Sequence, residues 1–253
     1  MTDFGVTDDQ FLEAQVKLRQ RATGHRAGSD AVLLAATIPP ETSGLIVDAG
    51  SASGAVGLMA AWRAPQAQIR MIEIDPDDIR LAISNIADNA MVSRVHVVAA
   101  DLFASHADRA AVGLCEGNAD HVLSNPPYLD EGQARASHDA DRVRAHMMPE
   151  GGLEKWILAC LQMLKPNGAL TIIHRADKLD EILHLMDGRF GDIGILPIYP
   201  RDDEGATRIL ISGKRNSRAP LRILPALMLH HRQGGFTERA AAIHSGRAPI
   251  LMR

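Results

Sequence analysis

Several features that would mark other classes of protein are scarce or absent in this 253-residue sequence. Its two cysteines, Cys115 and Cys160, give neither a disulfide framework nor the paired spacing of a zinc site. No apolar run approaches the roughly 18–20 residues that cross a bilayer, and the first residues lack the basic and apolar segments of a signal peptide. We therefore expect a cytoplasmic protein without a membrane partner.

Metal ligands and aromatic side chains are sparse as well. The histidines His25, His138, His146, His230 and His231 do not fall at ligand spacing, so we expect no metal site. Aromatic residues make up 4% of the chain, which makes each one that falls in a motif informative. The apolar fraction of 46% and the charged fraction of 23% are ordinary for a soluble globular protein.

The net charge of −4 is unevenly distributed along the chain. Residues 206–253 carry nine lysines and arginines against one acid, Glu238, so this segment stands at +8 and the remainder at −12. A basic segment on an acidic body is typical of a nucleic-acid contact. A solvated surface with a basic tail is the alternative, because charge asymmetry alone does not identify a partner.

What the chain does contain is an alternation of short apolar runs with helical segments. We predict seven strands, at residues 45–47, 69–72, 95–98, 119–124, 168–174, 193–199 and 208–212. Helices are predicted between and before them, at residues 31–36, 55–62, 76–89, 153–164 and 176–187. Continuous apolar strands alternating with helices indicate an α/β fold with a doubly wound, mostly parallel, seven-stranded sheet of the Rossmann-like type.

The segments on either side of this core are less regular. Residues 8–21 are compatible with a helix or a strand pair, and Ser29 or Asp30 is predicted to cap the helix at 31–36. A further helix is predicted from about Thr237. We expect a single domain over residues 1–253, divided into a lead-in (1–40), a catalytic core (41–214) and a basic C-terminal extension packed on the sheet (215–253).

Small and polar residues stand at the ends of four successive strands, namely Asp48, Gly50, Glu73, Asp101 and Asn125. Ligands of open α/β sheets bind outside the carboxyl ends of the strands. The loop after the first strand is rich in small residues, so its backbone can approach a ligand closely and the next helix presents its N-terminus. An acid after a strand is often a helix cap, but three acids at successive strand ends favour a binding site.

The chemistry of these strand ends describes one ligand. Asp48 would repel a pyrophosphate and suits an ammonium group, so the loop differs from a dinucleotide fingerprint. Glu73 stands about 20 residues further on, where a carboxylate can take two ribose hydroxyls. Asp101 could accept a hydrogen bond from an adenine amino group. Ammonium, ribose and adenine together indicate S-adenosylmethionine.

The stretch Asn125-Pro126-Pro127-Tyr128 follows the fourth strand. Its two prolines end the strand, and the first of them forces Asn125 into an extended or turn conformation. The side-chain oxygen of Asn125 and the carbonyl of Pro126 can both accept hydrogen bonds from one planar –NH2 group, while Tyr128 can stack on the group that carries it. An ordinary strand-terminating turn is the alternative.

Together these motifs resemble the class I S-adenosylmethionine-dependent methyltransferases, and within them the amino-methyltransferases with an Asn-Pro-Pro-Tyr motif. The resemblance covers residues 24–214. More narrowly, the chain is similar to the bacterial valine-tRNA adenine-N6 methyltransferase family, because of its lead-in Gly24-x-Arg26-x-Gly28-x-Asp30, the position of Asn125 to Tyr128, and Thr237-Glu238 in the C-terminal segment.

The resemblance implies roles for individual residues. The methionine part of the cofactor would lie against Asp48, Gly50 and Gly54, the ribose against Glu73, and the adenine against Asp101. The implied catalytic residues are Asn125, Pro126, Pro127 and Tyr128. The implied cofactor site comprises Arg26, Asp30, Asp48, Gly50, Ser51, Ala52, Gly54, Glu73, Ile74, Asp101, Leu102 and Asn125.

One position departs from the family pattern. Ala52 stands where the family loop has its central glycine. If the backbone there requires a positive φ, alanine costs about 1 kcal/mol relative to glycine.

We hypothesise methylation of the exocyclic amine of adenine in an RNA, tRNA in particular, with S-adenosylmethionine as methyl donor and a monomer favoured. Three alternatives stay open: methylation of a glutamine amide in a protein such as a release factor, methylation of adenine in DNA, and a non-catalytic RNA-binding protein on the same fold. The charged connection at 129–150 is predicted to be a mobile lid or substrate loop, with disorder as its alternative.

Overall fold

The computed structural model describes residues 5–23, 26–114, 117–127, 129–130, 147–148 and 151–253. Tyr128, Cys115, the Gly24-His25 pair and most of the predicted substrate loop lie outside the described residues. None of the helices in the described ranges combines the length and apolar character of a membrane span.

The strands and helices alternate along the chain as the pattern predicts. The strands are β1 (Val6–Phe11), β2 (Val16–Arg21), β3 (Gly44–Ala49), β4 (Ala67–Glu73), β5 (Val95–Ala99), β6 (Ala119–Ser124), β7 (Leu129–Asp130), β8 (Met147–Met148), β9 (Leu164–Arg175), β10 (Phe190–Tyr199), β11 (Arg208–Arg215), β12 (Arg222–Ile223) and β13 (Leu227–Met228). The helices are α1 (Ser29–Ala35), α2 (Ala55–Arg63), α3 (Pro76–Asp88), α4 (His106–Ala111), α5 (Gly152–Met163), α6 (Leu179–Met186) and α7 (Glu238–His244).

The central sheet has the order β12-β10-β11-β9-β6-β3-β4-β5, and β13 also pairs with β10. Strands β9, β6, β3, β4 and β5 are parallel neighbours, whereas β11 runs antiparallel to both β9 and β10. The predicted α/β class and the seven predicted strands are confirmed. The two short strands β12 and β13 extend the predicted sheet to nine strands in the described part of the chain.

Helices cover both faces of this sheet, which is why its parallel strands are apolar throughout. One buried cluster joins α1, α2, α3 and α7 to the sheet through residues such as Leu33, Leu58 and Ile243. The other joins α5 and α6 to the opposite face through Ile157 and Ile182. The sheet is therefore doubly wound, and its carboxyl edge is left accessible between the two helical layers.

Some local predictions were wrong. Helix α1 begins at Ser29, and Gly28 precedes it without any side-chain cap. Neither Ser29 nor Asp30 caps this helix, because Ser29 Oγ lies 3.1 Å from His244 Nε2 and Asp30 accepts a 2.9 Å hydrogen bond from Arg208 Nε. Strand β9 begins at Leu164, before the predicted start at 168, and it continues past an irregular register near Asn167, which has a φ of 64°. Helix α4 was not predicted, and residues 176–178 form a 3-10 turn ahead of α6.

The N-terminal segment resolves into a strand pair rather than a helix. Strands β1 and β2 are antiparallel and form a separate two-stranded sheet. Val16, Leu18 and Gln20 on one face of β2 are buried, whereas the alternate residues are exposed or half-buried. This hairpin packs against α3, and its second strand leads directly into the segment before α1.

The basic C-terminal segment is attached to the acidic body by ion pairs. Its cations pair with acids elsewhere in the chain as Arg208–Asp30, Lys214–Asp192, Arg222–Asp192, Arg232–Asp202 and Arg247–Glu13. The buried Arg63 of α2 adds hydrogen bonds to the carbonyls of Ile243 and Ala248. The charge asymmetry in the sequence therefore corresponds in part to contacts that hold this segment on the core.

Candidate active site

The predicted strand-end residues lie at one edge of the sheet. In the parallel register Ala49 faces both Ile72 of β4 and Ser124 of β6, and Glu73 faces Ala99 of β5. The segments that follow these strands therefore emerge side by side at the carboxyl edge.

The loop between β3 and α2 turns through three left-handed residues. Gly50, Ala52 and Gly54 have φ values of 75°, 46° and 93°. A Cβ added at Gly50 would lie 2.7 Å from Trp156 Cη2, and one at Gly54 would lie 3.0 Å from Met71 Sδ. Glycine is therefore required at 50 for space as well as for φ, and the condition set for Ala52, a positive φ, holds in the structure. An alanine in this region costs about 1–2 kcal/mol.

Asp48 lies beneath this loop with only 1% of its surface exposed. Its Oδ2 accepts a 2.8 Å hydrogen bond from the Gly57 N–H in the first turn of α2. Burial raises the pKa of Asp48 to about 7, and the nearby charge of Glu73 adds to this rise despite the opposing hydrogen bond. This carboxyl group is therefore poised to change charge near neutral pH, and a cation placed beside it would favour the carboxylate.

Glu73 braces the loop from the neighbouring strand. Its Oε2 accepts a hydrogen bond from the Ala52 N–H at 2.8 Å, and its Oε1 accepts from the N–H groups of Ile74 and Asp75 at 2.7 and 2.9 Å. A carboxylate has about four lone-pair positions, so these three bonds leave capacity for a ligand hydroxyl. The ribose-binding role of Glu73 stays a prediction, and the bond to Ala52 is an additional structural role.

The segment after β5 forms a compact turn. Asp101 Oδ1 accepts a 2.8 Å hydrogen bond from the Phe103 N–H, and Leu102 is buried. Phe103 and Ile74 are 37% and 64% exposed, so two apolar side chains lie at the surface next to the acids predicted to hold the nucleoside.

A cleft with about 460 Å³ of space, part of it open to solvent, brings together the loop and Asn125 of the predicted amine-binding motif. Its lining residues are Gln20, Arg21, Ala27, Ala31, Gly50, Ser51, Ala52, Ser53, Ala55, Val56, Asp78 and Asn125. Predicted residues from the first loop and the fourth strand end thus share one cavity. The hairpin residues Gln20 and Arg21 were missed at the sequence level because residues 8–21 carry no recognisable binding motif. Asp78 of α3 was missed because its place in the cleft depends on the packing of the hairpin against that helix.

Two asparagines one turn apart, Asn85 in α3 and Asn89 at its C-cap, hold the hairpin in place. Asn85 Oδ1 accepts from the Arg19 N–H at 2.7 Å, and its Nδ2 donates to the carbonyls of Arg19 and Ser53 at 2.8 and 2.9 Å. Asn89 makes the corresponding pair of bonds to the N–H and carbonyl of Lys17, at 2.9 and 2.7 Å. Asn85 therefore joins the hairpin, α3 and the loop between β3 and α2 through one buried amide.

Arg21 adds charge to this junction. Its guanidinium pairs with Asp78 at 3.0 Å and with Asp75, the N-cap of α3, at 2.5 Å. Burial raises the pKa of Asp78 to about 6, and the charges of Glu73 and Asp75 act in the same direction against the opposing effect of Arg21. One wall of the cleft therefore carries a basic side chain, Arg21, paired with an acidic one, Asp78.

The lead-in residues Arg26 and Asp30 are in ion pairs. Arg26 Nη2 pairs with Asp9 of the hairpin at 2.8 Å, and Asp30 pairs with Arg208. Gln20 completes the network, because it donates to Asp9 and accepts from the Ala27 N–H at 2.8 Å. These contacts fix the backbone at the rim of the cleft, while direct cofactor contact by Arg26 and Asp30 stays a prediction.

Asn125 directly follows β6 and is half-buried in the cleft wall, with Pro126 buried and Pro127 half-buried behind it. The preceding residue, Ser124, is completely buried and accepts a hydrogen bond from Trp156. Trp156 was also missed from the sequence, although it is one of only two tryptophans in the chain.

The residues in and around the cleft fit S-adenosylmethionine, the predicted cofactor. Ser51 Oγ is buried in the cleft wall with no hydrogen-bond partner among the described atoms, so a polar ligand atom would satisfy it. Asp48 offers an ionisable carboxyl below the loop, which suits an ammonium group. Exposed Ile74 and Phe103 offer apolar surface to a purine beside Glu73 and Asp101.

Comparison with known proteins gives consistent matches. The profile of the family described as "Methyltransferase small domain" matches residues 27–196. The tRNA1(Val) (adenine(37)-N6)-methyltransferase of Porphyromonas gingivalis is 30% identical over 201 residues, covering 75% of this chain and 76% of that protein. The release factor glutamine methyltransferase of Chlorobaculum tepidum is 29% identical, covering 68% of this chain and 60% of that protein.

A solved structure matches over nearly its whole length. The crystal structure of Atu636 from Agrobacterium tumefaciens, described as a predicted O-methyltransferase, superposes with a TM-score of 0.75 at 28% identity. The match covers 88% of this chain and 98% of that one.

Proposed function

This chain belongs to the methyltransferase small domain family, and from that membership we propose that it methylates the exocyclic amino group of adenine in RNA, tRNA in particular. It is an S-adenosylmethionine-dependent methyltransferase that acts on amino groups. The identity of the acceptor and the roles of individual residues are the proposed part.

The observation that carries the proposal is the shared cleft. Asn125, at the end of β6, lines the same cavity as Gly50, Ser51 and Ala52 of the cofactor loop. Because the register aligns the ends of β3 and β6, an amine held at Asn125 would lie beside a group held by the loop. This is the arrangement that a direct transfer between two bound molecules needs.

The chain's own residues bind and orient the acceptor. The amine of adenine is delocalised into its ring and is a poor nucleophile. Hydrogen bonds from its two hydrogens to Asn125 Oδ1 and the Pro126 carbonyl would draw the nitrogen toward a tetrahedral form and expose its lone pair. The nitrogen then gains the methyl group and loses one of these protons to solvent.

The donor side is held by the first loop and its neighbours. When bound, S-adenosylmethionine supplies a methyl group on a positively charged sulfur. We propose that Asp48 binds its ammonium group, that Ser51 and the backbone at Gly50 and Gly54 hold the methionine part, and that Glu73 binds the ribose. No covalent enzyme intermediate is required, since alignment of the reacting atoms supplies much of the rate.

An RNA acceptor is supported by the named relative from Porphyromonas gingivalis, which methylates adenine 37 of a tRNA by its description. The C-terminal cations are consistent with RNA binding, because ion pairs at exposed positions contribute only about 0–1 kcal/mol each and can exchange for phosphates. Tyr128, if it stacks as predicted, would hold an unpaired base.

The second candidate is methylation of a glutamine amide in a protein. It is favoured by the relative from Chlorobaculum tepidum and by the planar –NH2 that this side chain shares with adenine. Both acceptors would use Asn125 and Pro126 in the same way, so the choice between them depends on the substrate that accepts the methyl group.

The test of the active-site assignment is the variant Asn125→Ala. We expect its turnover to fall by about 10²-fold or more, while its dissociation constant for S-adenosylmethionine, measured by calorimetry, changes by less than about threefold. Asn118→Ala is a matched control, because Asn118 is exposed just before the opposite end of β6. Loss of cofactor binding in Asn125→Ala would show instead that this residue is structural.

A further inference from the structure

One side chain, Trp156, connects three of the strand-end segments that form the site. It lies in α5 and is 8% exposed. Its indole Nε1–H donates a 2.8 Å hydrogen bond to Ser124 Oγ, and its ring packs against Gly50 and against the edge of Phe103. We propose that Trp156 is a positioning residue that sets Asn125 in register with the cofactor loop.

The connection to Asn125 passes through Ser124. This serine is completely buried, and its hydroxyl donates to the Ala49 carbonyl at 3.2 Å while accepting from Trp156. Ala49 and Ser124 are the last facing pair between β3 and β6. Beyond that pair the two strands diverge into the loop and the Asn-Pro-Pro segment, so the Ser124 hydroxyl joins the two branches at the point where they separate.

The connection to the cofactor loop is a direct contact of the ring with backbone. Gly50 has a φ of 75°, and a Cβ there would come within 2.7 Å of Trp156 Cη2 and 2.8 Å of Cζ2. No side chain intervenes, so a displacement of the indole displaces the loop itself. The indole also meets Phe103 in a T-shaped contact, with ring centroids 5.9 Å apart, and the Phe103 N–H donates to Asp101.

The consequence for catalysis follows from this geometry. Trp156 is assigned no contact with substrate or cofactor, so it acts only through the groups it holds. The proposal rests on the proposed function, because it requires that an amine be held at Asn125 beside the loop. A shift of about 1 Å between reacting groups can reduce the rate by about 10²-fold, so loosening this contact would lower turnover more than it lowers binding.

The variant that tests the proposal is Trp156→Phe, which removes the N–H donor and narrows the ring. Trp62→Phe is a matched control, since the chain has two tryptophans and Trp62 also packs on a left-handed glycine, Gly246, with a Cβ there 2.8 Å from Trp62 Cζ3. With both substrates saturating, we expect kcat to fall tenfold or more in Trp156→Phe and to stay within twofold in Trp62→Phe. Equal losses at matched folded fractions would overturn the proposal.

A second variant isolates the hydrogen-bond relay. Ser124→Ala leaves the indole against Gly50 but removes the hydroxyl between Trp156 and Ala49. We expect kcat to fall at least threefold while the calorimetric dissociation constant for S-adenosylmethionine stays within about twofold. Native kcat in a folded Ser124→Ala protein would show that the relay does not position Asn125.

A fluorescence titration separates this proposal from the identity of the acceptor. In Trp62→Phe the remaining indole is Trp156, and binding of S-adenosylhomocysteine should change its emission. In Trp156→Phe, where only Trp62 remains, the same titration should leave the emission unchanged. No methyl acceptor is needed, so a wrong substrate would appear as absent methylation with the fluorescence change intact. An unchanged emission in Trp62→Phe, with cofactor binding confirmed by calorimetry, would overturn the proposal.

Discussion

The side chain of Asn85 attaches the β1–β2 hairpin to the folded core beside the cleft. Removing this side chain tests whether the attachment stabilises the site. Asn85→Ala deletes three hydrogen bonds, to the N–H and carbonyl of Arg19 and to the carbonyl of Ser53. Each such bond contributes about 1 kcal/mol net, so we expect a loss of about 3 kcal/mol in the free energy of unfolding. In a chain of this size that corresponds to roughly 6–12 °C in Tm.

Asn89→Ala is the matched comparison. Asn89 also makes three hydrogen bonds, but its two bonds to Lys17 are exposed, so water replaces them when the side chain is removed. We expect a loss of about 1 kcal/mol or less. The two variants share the residue type and the paired bonds to one residue of β2, and they differ in burial and in the contact with Ser53.

The assay is chemical denaturation of both variants, followed by amide hydrogen exchange and a calorimetric titration with S-adenosylmethionine. Asn85→Ala should accelerate exchange at Arg19 and weaken cofactor binding, because Ser53 belongs to the loop and Gln20 and Arg21 belong to the cleft wall. Equal destabilisation of the two variants, or native cofactor affinity in Asn85→Ala, would refute the role assigned to this buried amide.

Two further predictions concern the loop between β3 and α2, which we propose binds the cofactor. Since the pKa of Asp48 is raised from 3.8 to about 7, its folded carboxyl keeps a proton that the unfolded chain loses. The stability of the cofactor-free protein should therefore fall as pH rises from about 4 to 7, whereas calorimetric affinity for the cofactor should rise between pH 6 and 8. Asp48→Asn should remove the pH dependence of affinity and reduce that of stability to the part due to Asp78, whose pKa is also raised, to about 6. Ala52 has a left-handed backbone, and Ala52→Gly should change the free energy of unfolding by less than about 1 kcal/mol, because relief of φ strain offsets the added backbone entropy of the unfolded chain. The β-branched variant Ala52→Val should instead weaken cofactor binding tenfold or more. Equal cofactor affinities in the two variants would contradict the strain argument.

The sheet and its strand ends were predictable because each parallel strand is a continuous apolar run that stops at a polar or small residue. Asp48, Glu73 and Asn125 stand at such stops, and the parallel register then brings them to one edge. The left-handed backbone at Ala52 was raised only as a condition, because the family pattern has a glycine there, and the structure shows that the condition holds.

The contacts that complete the site were not predictable from one sequence. Gly50 and Trp156 are separated by 106 positions, and nothing in the local pattern around α5 indicates that its indole faces the first loop. The hairpin is similar, because Asn85 and Asn89 look like exposed polar residues on an amphipathic helix until β2 is placed against them. The basic extension could be recognised by composition, but its ion pairs with acids such as Asp30 and Asp192 depend on the tertiary fold.

The central claim is that this protein methylates the exocyclic amine of an RNA adenine and that Asn125 holds this amine. The measurement that tests it most directly is transfer of labelled methyl from S-adenosylmethionine into three pools from one cell type: tRNA, genomic DNA and soluble protein. The account predicts label in tRNA that digests to N6-methyladenosine and that is absent when Asn125→Ala replaces the native enzyme. Label in protein as methylated glutamine, or label in DNA, would contradict the proposed substrate, and a protein that binds no cofactor would contradict the enzymatic function itself.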